Sequence, residues 1–295
     1  IAFSSIQGAL DNQLPLHPDM ETWRVDPVAW PFPLGAGAGQ YRAIGATVAM
    51  HYLDKIKRGI NGAYQRLESG GARSGLSTLY TAVTGKATDT TSPIRVVLIS
   101  SLAGGSGAGM LMTVADTLRA IDNEGCKDIF GVLYTPDVFG GGGNISGTTP
   151  NSLAAISEIL NGYWWGGSIN RAEENPPAKN LGVLASNGLP AALEASGPRF
   201  PFLVGRTNAK SVDHGSPSNL FSIVGRSLLS WTTDTAVQEE FIAYTIGNWK
   251  TASTGHEQSS KTLLTGGTDA EIGYPAISSL GFSRLSLGTE YFEEY

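Results

Sequence analysis

At 295 residues, with 41% hydrophobic and 16% charged side chains, the chain can bury a full core as one large domain or two smaller ones. Its net charge of −6 argues against a general nucleic-acid binder, which would carry a basic stripe. One cysteine, Cys126, leaves no intrachain disulfide and no zinc site, and it fits a reducing, cytoplasmic compartment.

The chain opens on Ile1 rather than Met, so a further N-terminal segment is expected upstream. The first chemical signal is a glycine cluster at Gly35–Gly39, and others follow at Gly104–Gly109 and Gly140–Gly143. Clustered glycine marks loops that bring backbone close to a ligand, because no Cβ stands in the way. The four histidines, His17, His51, His214 and His256, are scattered, and no metal site is expected from them.

Arg95–Ser101, a β-branched and apolar run after Pro93, predicts a buried strand. From Ala108 onward the period changes to helical: Leu111, Val114, Ala115, Leu118 and Ile121 share a face, and Asp116, Arg119 and Asp122 fall elsewhere. Gly125 is placed for a C-terminal cap. Ile129–Thr135 predicts a second apolar strand, closed by Pro136. Together these make a βαβ unit of a parallel sheet. The uncharged stretch from Val96 to Ala115 is therefore no membrane span; glycines and serines fill its middle and its period switches partway.

The loop Ala103–Gly109, "AGGSGAG", joins strand to helix, where free backbone N–H groups and the positive helix end favour an anion. The same residues approximate a G-x-S-x-G nucleophile elbow with Ser106 as nucleophile and His214 or His256 as base. A third reading is a glycine loop that simply packs closely on a neighbour.

"AGGSGAG" resembles the signature loop of the tubulin/FtsZ superfamily, with Ser106 in the usual threonine position. "PLGAGAGQYRAIG", Pro33–Gly45, resembles that superfamily's γ-phosphate loop leading into a helix. "YTPDVF" resembles its proline-containing turn beside the ribose, and "TPNSLAAISEIL", Thr149–Leu160, the helix that follows. "RFPFLVGRTN", Arg199–Asn208, is similar to a strand ending in a base-reading asparagine, and Ser216–Trp231 to the long central helix. "YPAISSLGFSRLSLG", Tyr274–Gly288, resembles the first strand of a second domain. Divergent bacterial tubulin-like proteins are the nearest in pattern.

The resemblance implies an α/β fold: a mostly parallel, Rossmann-like sheet with helices on both faces. Residues 1–250 would form a GTPase domain, and 251–295 a linker with the start of a second α+β domain. It implies GTP or GDP as ligand, with Mg2+ held mainly through the phosphates. It assigns Gly104, Gly105, Ser106, Gly107 and Ala108 to the diphosphate, and Ala36, Gly37 and Ala38 to the γ-phosphate. Pro136, Asp137 and Asn151 fall on the ribose side, and Asn208 and Asn219 at the guanine edge, where an amide can both donate and accept. Head-to-tail self-assembly is implied, with further protein partners possible, and hydrolysis in a filament by acids from the next subunit.

The chain departs from the pattern in several places. The superfamily's first strand and first glycine loop have no counterpart before Pro33 and are expected upstream of Ile1. Thr149 stands where a ribose-side glutamate belongs, which leaves the sugar contact open. The G-x-N-x-D motif after the central helix is absent, and Asp234, Glu239 and Glu240 are the acids that remain. Plainer roles stand beside these: Asn219 as a helix cap, Asn208 as a turn residue, the three acids as a solvated helix face, and Trp164 and Trp165 in a core or interface. A non-catalytic nucleotide-binding scaffold and a serine hydrolase are the competing functions.

Overall fold

The computed structural model describes residues 37–87, 94–121, 129–140, 146–162, 196–208, 211–241, 243 and 277–280. In chain order these form α1 (Arg42–His51), α2 (Leu53–Glu68), α3 (Gly70–Thr84), β1 (Val96–Ser101) and α4 (Gly105–Ile121). There follow β2 (Ile129–Tyr134), a 3-10 turn (Pro136–Phe139), α5 (Thr148–Gly162), β3 (Phe200–Val204), α6 (Pro217–Thr233) and β4 (Ser278–Ser279). The strands lie in the order β1-β2-β3-β4, all parallel. Val96 stands opposite Ile129, Phe130 opposite Phe200 and Phe202 opposite Ser278.

Alternation along the strands builds two cores. Leu98, Leu133 and Leu203 face α4 and α5, packing with Leu111, Met112, Ala155 and Ile159. Val97, Val132, Tyr134 and Val204 face α6, with Leu220 and Val224. Every residue of β2 is buried, as a central parallel strand covered on both faces must be. β1 is less enclosed than the sequence predicts: most of it is half-buried and Ile99 is exposed. It forms one end of the described sheet, with no strand beyond it among the described residues.

The expected helices and strands are present with shifted ends. α4 begins at Gly105 rather than Ala108, so the glycine motif supplies its first turn. α5 and α6 match the two helices expected near 149–160 and 216–231. Of the strand expected at 274–288, residues 278–279 pair with β3 in the same sheet, and most of the remainder lies outside the described residues. Ala36, Gly125, Cys126, Trp164, Trp165, His17 and His256 also lie outside them. Among the described residues no helix is long and apolar enough to cross a membrane.

α1 lies across α4 at backbone distance. A Cβ on Gly45 would fall 2.1 Å from the Gly105 carbonyl oxygen, and one on Gly109 would fall 2.3 Å from that of Arg42. Only glycine allows this approach.

Asp116 and Arg119 fall off the apolar stripe of α4 yet do not face solvent. Both are buried, because α4 is enclosed by the sheet on one side and by α1, α2 and α5 on others. Asp116 accepts hydrogen bonds from the Ser196 hydroxyl (2.7 Å) and the Gly197 N–H (2.8 Å), while Arg119 donates to the Gly197 carbonyl (2.7 Å). The pair ties the segment before β3 to α4. Burial is the largest influence on the Asp116 carboxyl and pushes it from 3.8 up to about 6, against the hydrogen bonds and Arg119.

The folded protein thus holds this proton up to about pH 6, whereas the unfolded chain releases it near 3.8. Its contribution to stability therefore falls as pH rises from about 4 to about 6, then levels off. Asp116→Asn should remove that slope, measured as the difference between variant and parent urea midpoints from pH 4 to 7. Equal slopes in the two proteins would refute a buried, protonatable Asp116.

Candidate phosphate-binding site

At the carboxyl end of β1 the chain turns through Leu102, Ala103 and Gly104 into α4. The turn is fixed by Ala103 N–H on the Ser101 hydroxyl (3.1 Å) and Leu102 N–H on the Tyr134 carbonyl (2.9 Å). The first α-helical bond is Ala108 N–H to the Gly104 carbonyl, 3.2 Å. The N–H groups ahead of it have no helical acceptor. Gly105 spends its N–H on the Gly39 carbonyl at 2.7 Å. Those of Gly104, Ser106 and Gly107 meet no acceptor among the described residues. Three unspent donors at the positive end of a 17-residue helix, beside an exposed Ser106, form a site suited to an anion.

The second loop closes over the first. Gly37 and Gly39 adopt φ of +92° and +54°, conformations open to glycine, and carry the backbone past the end of α4. Ala38 N–H donates to the Ser106 Oγ at 3.3 Å, leaving the hydroxyl proton of Ser106 for a further acceptor. The glycines divide the work unequally. A Cβ on Gly104 would have 3.8 Å to its nearest neighbour, whereas on Gly105 it would lie 2.6 Å from the Ala38 oxygen and on Gly107 2.5 Å from the Ser101 oxygen. Close packing therefore constrains Gly105 and Gly107, while Gly104 is left with room around it.

Around these loops stand side chains that the motif alone does not reveal. Arg42 reaches the Ala108 carbonyl (3.4 Å) and pairs with Glu158 of α5. Gln40 Oε1 accepts from the Gly147 N–H (2.8 Å) at the start of α5. Asn151 is buried and uses Nδ2 to donate to the Gln40 carbonyl (2.7 Å) and the Ala103 carbonyl (3.0 Å).

The corner expected to hold ribose and base lies at the ends of β2 and β3. Pro136 opens the 3-10 turn, and Asp137 accepts from the Thr135 hydroxyl and from the Arg206 N–H (2.7 Å). Arg206 grips Asp213 through two hydrogen bonds (2.8 and 2.7 Å) and reaches the Gly140 carbonyl (3.1 Å). That grip holds the Asp213 carboxyl down to about 2. Asn208 closes the turn to Val212, its Oδ1 accepting the Val212 N–H at 3.0 Å. Ser216, rather than Asn219, caps α6, and Asn219 Nδ2 donates to the His214 carbonyl at 2.6 Å. Tyr134 meets Phe139 and Phe221 edge-on beside this corner, and those two rings are tilted to each other.

Asp234, Glu239 and Glu240 sit at the other end of the molecule. α6 runs from the carboxyl ends of the strands, where Leu220 packs by Val204, to their amino ends, where Trp231 packs on Phe130 and Phe200. Seventeen residues at 1.5 Å each separate the ends by roughly 25 Å. Asp234 caps the following helical residues 235–241 through Ala236 N–H (3.0 Å), and Glu239 and Glu240 are exposed on that helix.

The hydrolase constellation is not assembled among the described residues. Among the described residues the Ser106 hydroxyl oxygen accepts from Ala38 N–H, and His214 offers its backbone to Arg206 and Asn219. Nor, among the described residues, does any group of three or more His, Cys, Asp and Glu side chains come together as metal ligands.

The fold is that of an α/β protein in which two glycine loops meet at the carboxyl end of a parallel strand, in an arrangement suited to an anion. The family described as tubulin like matches residues 3–295, and the chain belongs to it. No curated protein and no solved structure matches the chain.

Proposed function

We propose that this tubulin-like protein binds a guanine nucleotide, assembles with copies of itself and hydrolyses GTP between neighbouring subunits. The observation that carries the reading is the trio of unspent N–H groups on Gly104, Ser106 and Gly107, roofed by the Gly37–Gly39 loop. In this reading the diphosphate rests on Gly104–Ala108 and the γ-phosphate under Ala36, Gly37 and Ala38. Pro136 and Asp137 border the ribose, Asn208 and Asn219 the base. Mg2+, where bound, is held through the phosphates and neutralises charge on them. In this reading residues 1–250 form the nucleotide-binding domain and 251–295 lead into a second domain, with β4 within that stretch extending the first domain's sheet.

The test is the nucleotide that copurifies with the full-length protein, followed by titration with GTP. Absence of guanine-nucleotide binding in the folded protein at millimolar concentration overturns the reading. GTP binding and assembly without phosphate release would make the protein a nucleotide-dependent scaffold instead.

Ser106 gives a second check. Ser106→Ala removes one donor to phosphate and the acceptor for Ala38 N–H. Binding should weaken by about 0.5–1.5 kcal/mol, roughly two- to tenfold in Kd. Covalent labelling of Ser106 by a serine-reactive phosphonate would instead establish the hydrolase.

A further inference from the structure

We propose that Asn151 is a positioning residue that fixes the spacing of the two glycine loops and so sets the preference for a third phosphate. The inference rests on the guanine-nucleotide reading above and specifies how the site separates GTP from GDP.

The two amide hydrogens of one buried side chain go to two different loops. One reaches the Gln40 carbonyl at 2.7 Å, at the end of the Gly37–Gly39 roof. The other reaches the Ala103 carbonyl at 3.0 Å, at the start of the α4 loop. Asn151 itself is in the first turn of α5, and its backbone N–H is held by the Gly147 carbonyl at 3.1 Å. Gln40 secures the same junction from its side, with Oε1 on Gly147 N–H at 2.8 Å. A Cβ on Gly147 would fall 2.6 Å from that Oε1, so the contact is backbone-close.

The two loops depend on this clasp unequally. The α4 loop is also the first turn of a packed helix, held by Ser101 and Tyr134. The roof has two glycines at positive φ, and its hydrogen bonds to α4 among the described residues are with Gly105 N–H and the Ser106 Oγ. Removing the donors of Asn151 therefore loosens the roof over the γ-phosphate more than the cradle under the diphosphate.

Asn151→Asp keeps size and shape but replaces both donors with carboxylate oxygen facing two carbonyls. Asn151→Ala removes the donors without adding charge, and it serves if the aspartate variant fails to fold. Calorimetric titration of each full-length variant with GTP and with GDP is the experiment. The ratio of GTP to GDP affinity should fall about tenfold, as expected for the loss of contacts each worth a few-fold. A purely structural role would lower the melting temperature or both affinities while leaving the ratio unchanged, and that result overturns the proposal. An Asn151 that touches the sugar through Oδ1 would likewise leave the ratio unchanged. A parent protein that binds neither nucleotide overturns the guanine-nucleotide reading itself, and this inference with it.

Discussion

Gly105→Val is expected to abolish nucleotide binding, raising Kd at least about a hundredfold. The side chain has nowhere to go. A Cβ at this position falls 2.6 Å from the Ala38 oxygen and 2.7 Å from both the N and O of Tyr41, all backbone atoms. The α4 N-terminus and the 38–41 segment must therefore separate, which breaks the Gly105 N–H bond to Gly39 and carries Ser106 away from Ala38. Both loops of the cradle are displaced together. Overpacking of this kind also costs about 1–3 kcal/mol of stability, so binding is measured well below the variant's own melting temperature. Gly104→Ala is the paired control for the fold: its Cβ has 3.8 Å of clearance, and the variant should melt with the parent. A folded Gly105→Val protein with affinity near that of the parent would remove the phosphates from this loop.

The contrast between Gly104 and Gly105 shows where reading a sequence stops. The βαβ unit from Val96 to Tyr134 was legible because its period changes at the glycine motif, and apolar runs that fill a parallel strand declare themselves. α5, α6 and β3 were placed by resemblance to a family pattern and lie within a few residues of it. The helices after the first glycine loop were less legible. α3 buries no residue, and its three glycines dilute any periodic signal. The burial of Asp116 and Arg119 was not legible, because local period reports one apolar face, while α4 is enclosed on several.

Side-chain contacts between distant segments were illegible for a different reason. Gln40 and Asn151 are 111 positions apart, as the bond from Asn151 to the Gln40 carbonyl measures, and nothing in either neighbourhood predicts that they meet. The same holds for Asp137 and Arg206, 69 positions apart at the base corner. Glycine positions mark where backbones approach. They do not say whether the neighbour is a ligand or a helix.

Turnover per subunit is expected to rise steeply with protein concentration, together with sedimentable assembly. The reason is the length of α6, which sets Asp234 roughly 25 Å from the strand ends that carry the cradle. An acid there cannot orient water on phosphates held by its own subunit, and in the proposed head-to-tail assembly it would face those of the next. Among the three acids the structure draws a distinction. Asp234 already accepts the Ala236 N–H, and Asp234→Asn keeps an acceptor for that cap, so its fold should survive. Glu239 and Glu240 are exposed and their side chains make no hydrogen bond or ion pair among the described residues, so Gln at either position should leave stability within about 0.5 kcal/mol. Neutralising the acid that positions water should slow phosphate release about a hundredfold while GTP binding and assembly persist, since only orientation is lost. A triple variant that hydrolyses at the parent rate would exclude all three. Turnover independent of concentration would place the chemistry within a single subunit.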